Sequence, residues 1–324
     1  MVIRHLLFLK KPFSSISKVF LSLLLSGGLV YALYGRINWS ELIRVFDNAS
    51  LSWLTVTIAM VILIMLISAW RWHRMVREEY CKSFAFDLYA FVSSKALNLF
   101  IPAKLGEFSR SYILRRRANV PLDRSVALTL LERVLDVSFL LLFVVLGVIV
   151  STDPSPVQKF FVTIAVIILF VLTVGVIGCC KWQYKQELRF GIWGKMVRFW
   201  QTIFMLPKRV SAQVFAETCC YTFLLWTLHL LHFQVMFLVF NHQLSVQEMV
   251  SYVPIAILAG QAPVTVAGVG TRDAALVYFL SDSVPIPVLA GVSLLAVTRV
   301  LCSGMIGILT MVIGSFFISK SQEG

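Results

Sequence analysis

The sequence predicts an all-α membrane protein with about six transmembrane helices and two re-entrant helices in an inverted-topology repeat. Of the 324 residues, 59% are hydrophobic and 14% are charged, whereas about 25% are charged in an ordinary soluble domain. Lys and Arg outnumber Asp and Glu by 29 to 16, which leaves a net charge of +13. Breaks rich in proline and glycine also recur in two parts of the chain. The composition excludes a soluble globular enzyme, because too little polar surface is available to cover its core.

Long apolar stretches give the membrane spans, since a helix needs about 20 apolar residues to cross the hydrocarbon core. The first stretch is expected to stay as an uncleaved helix, because no small-residue cleavage site follows it. The last is either one tilted helix or a helix broken near Gly304 and Gly307. The predicted spans are Val19–Tyr34, Ser52–Trp70, Val126–Val150, Val157–Cys180, Val214–Phe240 and Ile286–Ile318.

Two further apolar stretches, Phe84–Ile101 and Met249–Val269, contain polar residues and run into proline and glycine. The loops on both sides of the first stretch are basic, with four Lys or Arg in residues 71–83 and six in residues 102–125. Basic loops favour the cytoplasm, so this stretch is predicted to enter and leave on the same side. The same rule places both termini in the cytoplasm, and the whole chain, residues 1–324, forms one membrane domain. The short clusters of basic residues indicate contact with anionic lipid rather than with nucleic acid.

The two re-entrant stretches belong to a predicted internal repeat, about residues 52–150 and 214–318. In each half, a span is followed by a break with proline, glycine, arginine and a carboxylate, and then by a span with an arginine inside the membrane. Pro102 and Pro263 mark the breaks, and Arg133 and Arg299 mark the later spans. An odd number of crossings between the halves inverts the second one. Broken helices in corresponding positions of inverted halves are typical of secondary transporters.

An amphipathic helix is predicted over Leu188–Leu206, with Trp193, Trp200 and Phe204 on one face. Such a helix lies in the membrane interface. A structural anchoring role is favoured there over contact with a substrate.

Charged residues inside a span are energetically costly, so they mark function or pairing. Asp136 lies four residues after Glu132 and three after Arg133, so it shares a helix face with both. Two interpretations stay open. The cluster either neutralises itself near the interface, or it faces a cavity in which Arg133 meets a lipid phosphate or pairs with Glu107.

Arg299 has no acidic residue near it in its own helix, so its counter-charge is expected to be Asp273 or a substrate phosphate. Arg110 and Arg272 follow the two glycine turns, where guanidinium groups suit bidentate phosphate binding. His229 and His232, three residues apart, are expected to form hydrogen bonds between helices, because no third metal ligand accompanies them. No metal or other cofactor is expected, and the six cysteines show no metal-type spacing.

Three motifs resemble the transmembrane family of lysylphosphatidylglycerol synthases, flippase-like proteins related to the N-terminal half of the bacterial multiple peptide resistance factor. The resemblance covers about residues 20 to 318, with Asp273 where a glutamate is expected. It implies translocation of an anionic lipid between leaflets: a phospholipid, an aminoacylated phospholipid or a polyprenyl-phosphate-linked sugar. The motifs are Asn98…Pro102…Gly106-Glu107…Arg110, Glu132-Arg133…Asp136 and Gly268-Val-Gly270-Thr-Arg272-Asp273.

The sequence therefore predicts a lipid flippase of the bacterial cytoplasmic membrane rather than an enzyme. ATP is not expected to drive it, because no Walker-type motif is present. The alternative is a membrane-embedded partner or subunit of a lipid- or glycan-modifying enzyme, such as a glycosyltransferase, and a homodimer also stays open. The predicted substrate-binding residues are Asn98, Pro102, Gly106, Glu107, Arg110, Glu132, Arg133, Asp136, Gly270, Arg272, Asp273 and Arg299.

Overall fold

A computed structural model describes most of the chain. It covers residues 38–77, 83–99, 106–151, 156–181, 210–261 and 268–320, together with the single positions 24, 27, 28, 31, 35, 80 and 265. Most of the predicted first span and the whole predicted helix Leu188–Leu206 lie outside the described residues. Pro102 and Pro263 also lie outside them.

The elements that the structure describes are all helices, which confirms the predicted all-α class. The number of spans and the re-entrant repeat stay predictions. The helices are α1 (Trp39–Asp47), α2 (Leu51–Val76), α3 (Phe84–Leu97), α4 (Ser109–Ala118), α5 (Leu122–Val150), α6 (Pro156–Lys181), α7 (Ala212–Val239), α8 (Val246–Gln261), α9 (Thr271–Leu280) and α10 (Ile286–Lys320).

Four of these helices, α2, α5, α7 and α10, are long and apolar enough to cross a membrane. The helix α6 has 26 residues, and its described apolar part is Pro156–Ile168. The helix α2 continues past its predicted end at Trp70 to Val76. Of the two forms predicted for the last span, the structure has one continuous helix, α10, through Gly304 and Gly307.

The helices α3 and α8 have 14 and 16 residues. At about 1.5 Å per residue they are roughly 21 and 24 Å long, shorter than a hydrocarbon core of about 30 Å. The Ser83 hydroxyl caps α3 by accepting a hydrogen bond from the backbone N–H of Phe86. Their length suits the predicted re-entrant placement, and the side of the membrane on which each one lies stays a prediction.

The order of helix lengths recurs along the chain. The helices α2 to α5 have 26, 14, 10 and 29 residues, and α7 to α10 have 28, 16, 10 and 35. Helices of one set pack against helices of the other: α3 lies against α10, α8 lies against α5, and α2 lies against α7. A Cβ atom on Gly307 would lie 2.6 Å from the Ala96 nitrogen of α3, and one on Gly147 would lie 2.4 Å from the Val250 oxygen of α8. Glycine at both positions therefore lets each medium helix approach the long helix of the other set.

Among the described residues, the two largest hydrophobic clusters hold most of these helices together. The larger one is built around Phe233 and Phe237 of α7, and the other around Trp72, Phe91 and Leu128. The outer faces of the long helices are also apolar, as expected where hydrocarbon rather than water surrounds a protein. Large apolar side chains exposed there include Ile58, Leu63, Ile149, Leu231, Leu301 and Ile313.

Candidate functional site

A cavity of about 220 Å³ lies among α2, α3, α5, α7 and α10, and its lining is both charged and apolar. The apolar part includes Val61, Ile64 and Leu225. The charged part consists of Arg71, Lys95, Glu107, Glu132, Arg133, Asp136 and Arg299. A charged cavity among apolar helices is costly to maintain and marks a candidate site.

Glu132 of α5 lies between two buried arginines. Its Oε1 atom is 2.6 Å from Nη2 of Arg71, and its Oε2 atom accepts a hydrogen bond from Nη2 of Arg110. All three side chains are at most 3% exposed. The carboxylate therefore compensates two charges that have almost no access to solvent.

Asp136, one helical turn further along α5, takes part in a set of contacts that connects α5 with α2 and α7. Its Oδ1 atom accepts a hydrogen bond from Nη1 of Arg71 at 2.7 Å, and its Oδ2 atom is 3.1 Å from Nη2 of Arg133. Arg71 also donates to the Thr222 hydroxyl of α7 at 2.8 Å. The predicted shared face of Arg133 and Asp136 is present, and Arg71 ties it to α2 and α7.

Glu107 lies in the short turn that precedes α4 and points back to the end of α3. Its carboxylate is 3.1 Å from Nζ of Lys95 and 2.8 Å from Nη2 of Arg133, and Asn98 donates to it at 3.4 Å. A Cβ atom on Gly106 would lie 2.5 Å from the Asn98 backbone nitrogen. Glycine therefore lets this turn approach α3. Of the two contacts proposed for Arg133, the one with Glu107 is formed within the chain.

Arg110 is placed behind the cavity rather than in its wall. Its side chain is fully buried, and its guanidinium carbon lies 3.8 Å from the ring centroid of Trp72 and 5.5 Å from that of Phe91. Stacking on aromatic faces and the bond to Glu132 place this cation in the core. The structure thus directs Arg110 away from the cavity space in which phosphate binding was predicted.

Arg299 of α10 has a different environment from the other arginines. Its Nη1 atom is 3.2 Å from Nδ1 of His229 and 3.4 Å from Nδ1 of His232, both on α7. These contacts match the hydrogen bonding between helices that was predicted for the two histidines. Among the described residues Arg299 forms no ion pair, and it lines the cavity.

The second glycine motif does not reach the cavity. Arg272 of α9 binds its neighbour Asp273 at 2.6 Å, and the Asp273 carboxylate also accepts from the Gly270 N–H at 3.0 Å. Gly270 has a φ angle of 96°, a conformation that favours glycine. Asp273 is therefore the partner of Arg272 and not of Arg299.

A third polar cluster closes the end of α2 against α3. His73 binds Asp87 at 2.6 Å, and the Tyr80 hydroxyl donates to the other oxygen of the same carboxylate. Burial, followed by the hydrogen bond to Asp87, raises the pKa of Tyr80 above its usual value. Among the residues that the structure describes, no group of histidine, cysteine and carboxylate side chains has the arrangement of a metal site.

The structure therefore divides the predicted site residues that it describes into two sets. Six of them line one cavity: Asn98, Glu107, Glu132, Arg133, Asp136 and Arg299. The other five are not in its lining: Gly106, Arg110, Gly270, Arg272 and Asp273. Two lining residues, Arg71 and Lys95, are absent from the predicted site. Arg71 falls in the basic segment 71–83, and Lys95 is one of the polar residues of the stretch Phe84–Ile101. The sequence does contain one indication of a further cation. Glu132 and Asp136 are two carboxylates close to a single arginine, Arg133, so a second positive charge is needed to balance them.

A bundle of long apolar helices around a charged cavity defines a multi-pass membrane protein. The chain matches the family described as the lysylphosphatidylglycerol synthase TM region over residues 19–316 and belongs to that family. This match confirms the resemblance found in the motifs and indicates a function related to membrane lipids. A comparison with curated proteins gives no match.

Proposed function

We propose that the protein is a flippase that moves an anionic lipid between the leaflets of a bacterial cytoplasmic membrane, with both termini on the cytoplasmic side. The observation that carries the proposal is Arg299, which lines a cavity among the spans and forms no ion pair with a described residue. A charge in such a place is unfavourable unless a partner compensates it. A lipid phosphate is the partner proposed here.

The geometry suits a phosphate in three ways. The guanidinium of Arg299 contacts the two histidines through Nη1, which leaves its other edge for a bidentate contact with phosphate oxygens. Lys95 and Arg133 also line the cavity and add positive potential there. The apolar lining from Val61 and Ile64 lets the first methylene groups of the lipid lie beside the head group while its chains stay in the bilayer.

The recurring helix order supports an inverted repeat. In each set a turn glycine packs back on the end of the medium helix, since a Cβ atom on Gly106 would meet Asn98 and one on Gly268 would meet Gly260. Together with the crossed packing of α3 and α8, this arrangement suits a mechanism in which one half moves against the other around a central site. The cavity would then open to each leaflet in turn.

The test is leaflet-resolved translocation of labelled lipids by the purified full chain in proteoliposomes. Arg299→Gln should lower the initial rate at least about tenfold, because a hydrogen bond to a charged group contributes about 1.5–3 kcal/mol. The matched control is Arg44→Gln, which changes an exposed arginine of α1 away from the cavity and should leave the rate unchanged. Translocation no faster than in protein-free liposomes, across a panel of anionic lipids, would overturn the proposal. An unchanged rate in a folded Arg299→Gln variant would overturn the role of Arg299.

A further inference from the structure

We infer that the head group bound in the cavity carries two negative charges and no cationic group, as in a lipid phosphomonoester or diphosphate. This inference deepens the proposed function and rests on it. It follows from the balance of charge around the cavity and from the partners that each carboxylate already has.

The first step is the count of charges. Among the described residues, the ion-pair network contains four cations and three carboxylates, so this part of it has one excess positive charge. Arg299, outside the network, adds a second one among the described residues. The cations of the network are Arg71, Lys95, Arg110 and Arg133, and its carboxylates are Glu107, Glu132 and Asp136.

The second step concerns a cationic substituent on the lipid. Both oxygens of each network carboxylate already face a cation: Lys95 and Arg133 at Glu107, Arg71 and Arg110 at Glu132. Asp136 is held by Arg71 through Oδ1 and by Arg133 through Oδ2. An ammonium group on the lipid would have to displace one of these internal cations. Among the described residues, the cavity therefore offers no carboxylate that is not already paired with a cation.

The third step is the cost of uncompensated charge. Opposite charges interact more strongly in a partly buried site than in water, and unpaired buried charges are strongly unfavourable. A phosphodiester would leave one of the two excess charges uncompensated, and a zwitterionic head group would leave both. A phosphomonoester carries about −1.5 to −2 charges near neutral pH, which matches the excess.

Binding to the detergent-solubilised full chain tests this inference without requiring transport. The probes are phosphatidic acid, phosphatidylmethanol and phosphatidylethanolamine with identical acyl chains, measured by native mass spectrometry at mildly alkaline pH. Methylation of the phosphate removes one charge with little change in size. Phosphatidic acid should bind at least about tenfold more tightly than phosphatidylmethanol, and phosphatidylethanolamine should bind most weakly.

The variant Arg299→Gln removes one excess charge and should abolish most of the preference for phosphatidic acid over phosphatidylmethanol. Arg44→Gln should retain the full preference. Equal binding of the three lipids, or tighter binding of phosphatidylethanolamine, would overturn the inference. So would an undiminished preference in folded Arg299→Gln. A chain that shows the preference but moves no lipid would contradict the proposed function, whereas one that moves lipids without the preference would contradict only the charge rule.

Discussion

Replacement of Glu132 by glutamine should destabilise the protein more than any change to an exposed ion pair. The glutamine would no longer neutralise Arg71 and Arg110, whose side chains are 3% and 0% exposed. Arg71 would keep Asp136, whereas Arg110 has no second carboxylate among the described residues. Removal of one partner from a buried pair costs about 3–5 kcal/mol. A domain of this size loses about 2–4 °C per kcal/mol, so the expected fall in Tm is on the order of 10 °C.

Thermal unfolding of the purified chain in detergent measures this loss. The matched control is Glu217→Gln, because Glu217 pairs with Arg74 at side-chain exposures of 29% and 22%, and an ion pair that is open to solvent contributes little to stability. The double variant Arg110→Met with Glu132→Gln should recover part of the stability, since it leaves no fully buried arginine without a carboxylate. Similar falls in Tm for Glu132→Gln and Glu217→Gln would show that Glu132 does not compensate buried charge as proposed.

Three further predictions concern packing, acid stability and orientation. Gly147→Ala should cost about 1–3 kcal/mol, because its Cβ would lie 2.4 Å from the backbone of α8, whereas Gly28→Ala meets nothing within 4 Å; equal Tm values would contradict the close packing. Burial raises the pKa of Glu248, but hydrogen bonds from neighbouring serines outweigh it and hold the pKa below its usual value. The stability that the ionised Glu248 contributes is therefore fully present above about pH 4.3 and is lost as the pH falls through the lower pKa of the folded state. Glu248→Gln should reduce the fall in Tm on acidification. An unchanged dependence of Tm on pH in this variant would contradict the prediction. In a chain without native cysteines, a membrane-impermeant maleimide should label Gln243→Cys but not Arg117→Cys on intact cells, and the reverse pattern would contradict the predicted orientation.

The helical class and the approximate positions of the long helices follow from hydropathy, because a spanning helix must be apolar over about 20 residues. The pairing of Arg133 with Asp136 follows from helical spacing. Arg71 could not be placed in this way. It stands between two tryptophans at the end of an apolar stretch, where a basic residue is typical of a loop, and only the packing of Trp72 and Met75 in the core shows that the helix continues.

The contacts of the Arg110 and Arg272 side chains also could not be predicted from the sequence. Both follow glycine turns, which suit phosphate binding as a local pattern. The structure instead stacks Arg110 on Trp72 and pairs Arg272 with Asp273. Residue type limits what a side chain can bind, but tertiary packing decides whether it points into a cavity or into the core.

Reversible obstruction of the cavity tests most directly the claim that a lipid head group passes through it. Ser303 lines the cavity on α10, and Ser52 is exposed at the start of α2. Each would be changed to cysteine in a chain without native cysteines, and translocation would be measured before modification by a bulky thiosulfonate, after it, and after reduction. Modification should stop translocation in Ser303→Cys, reduction should restore it, and Ser52→Cys should be unaffected throughout. Undiminished translocation after complete modification of Ser303→Cys would contradict the claim.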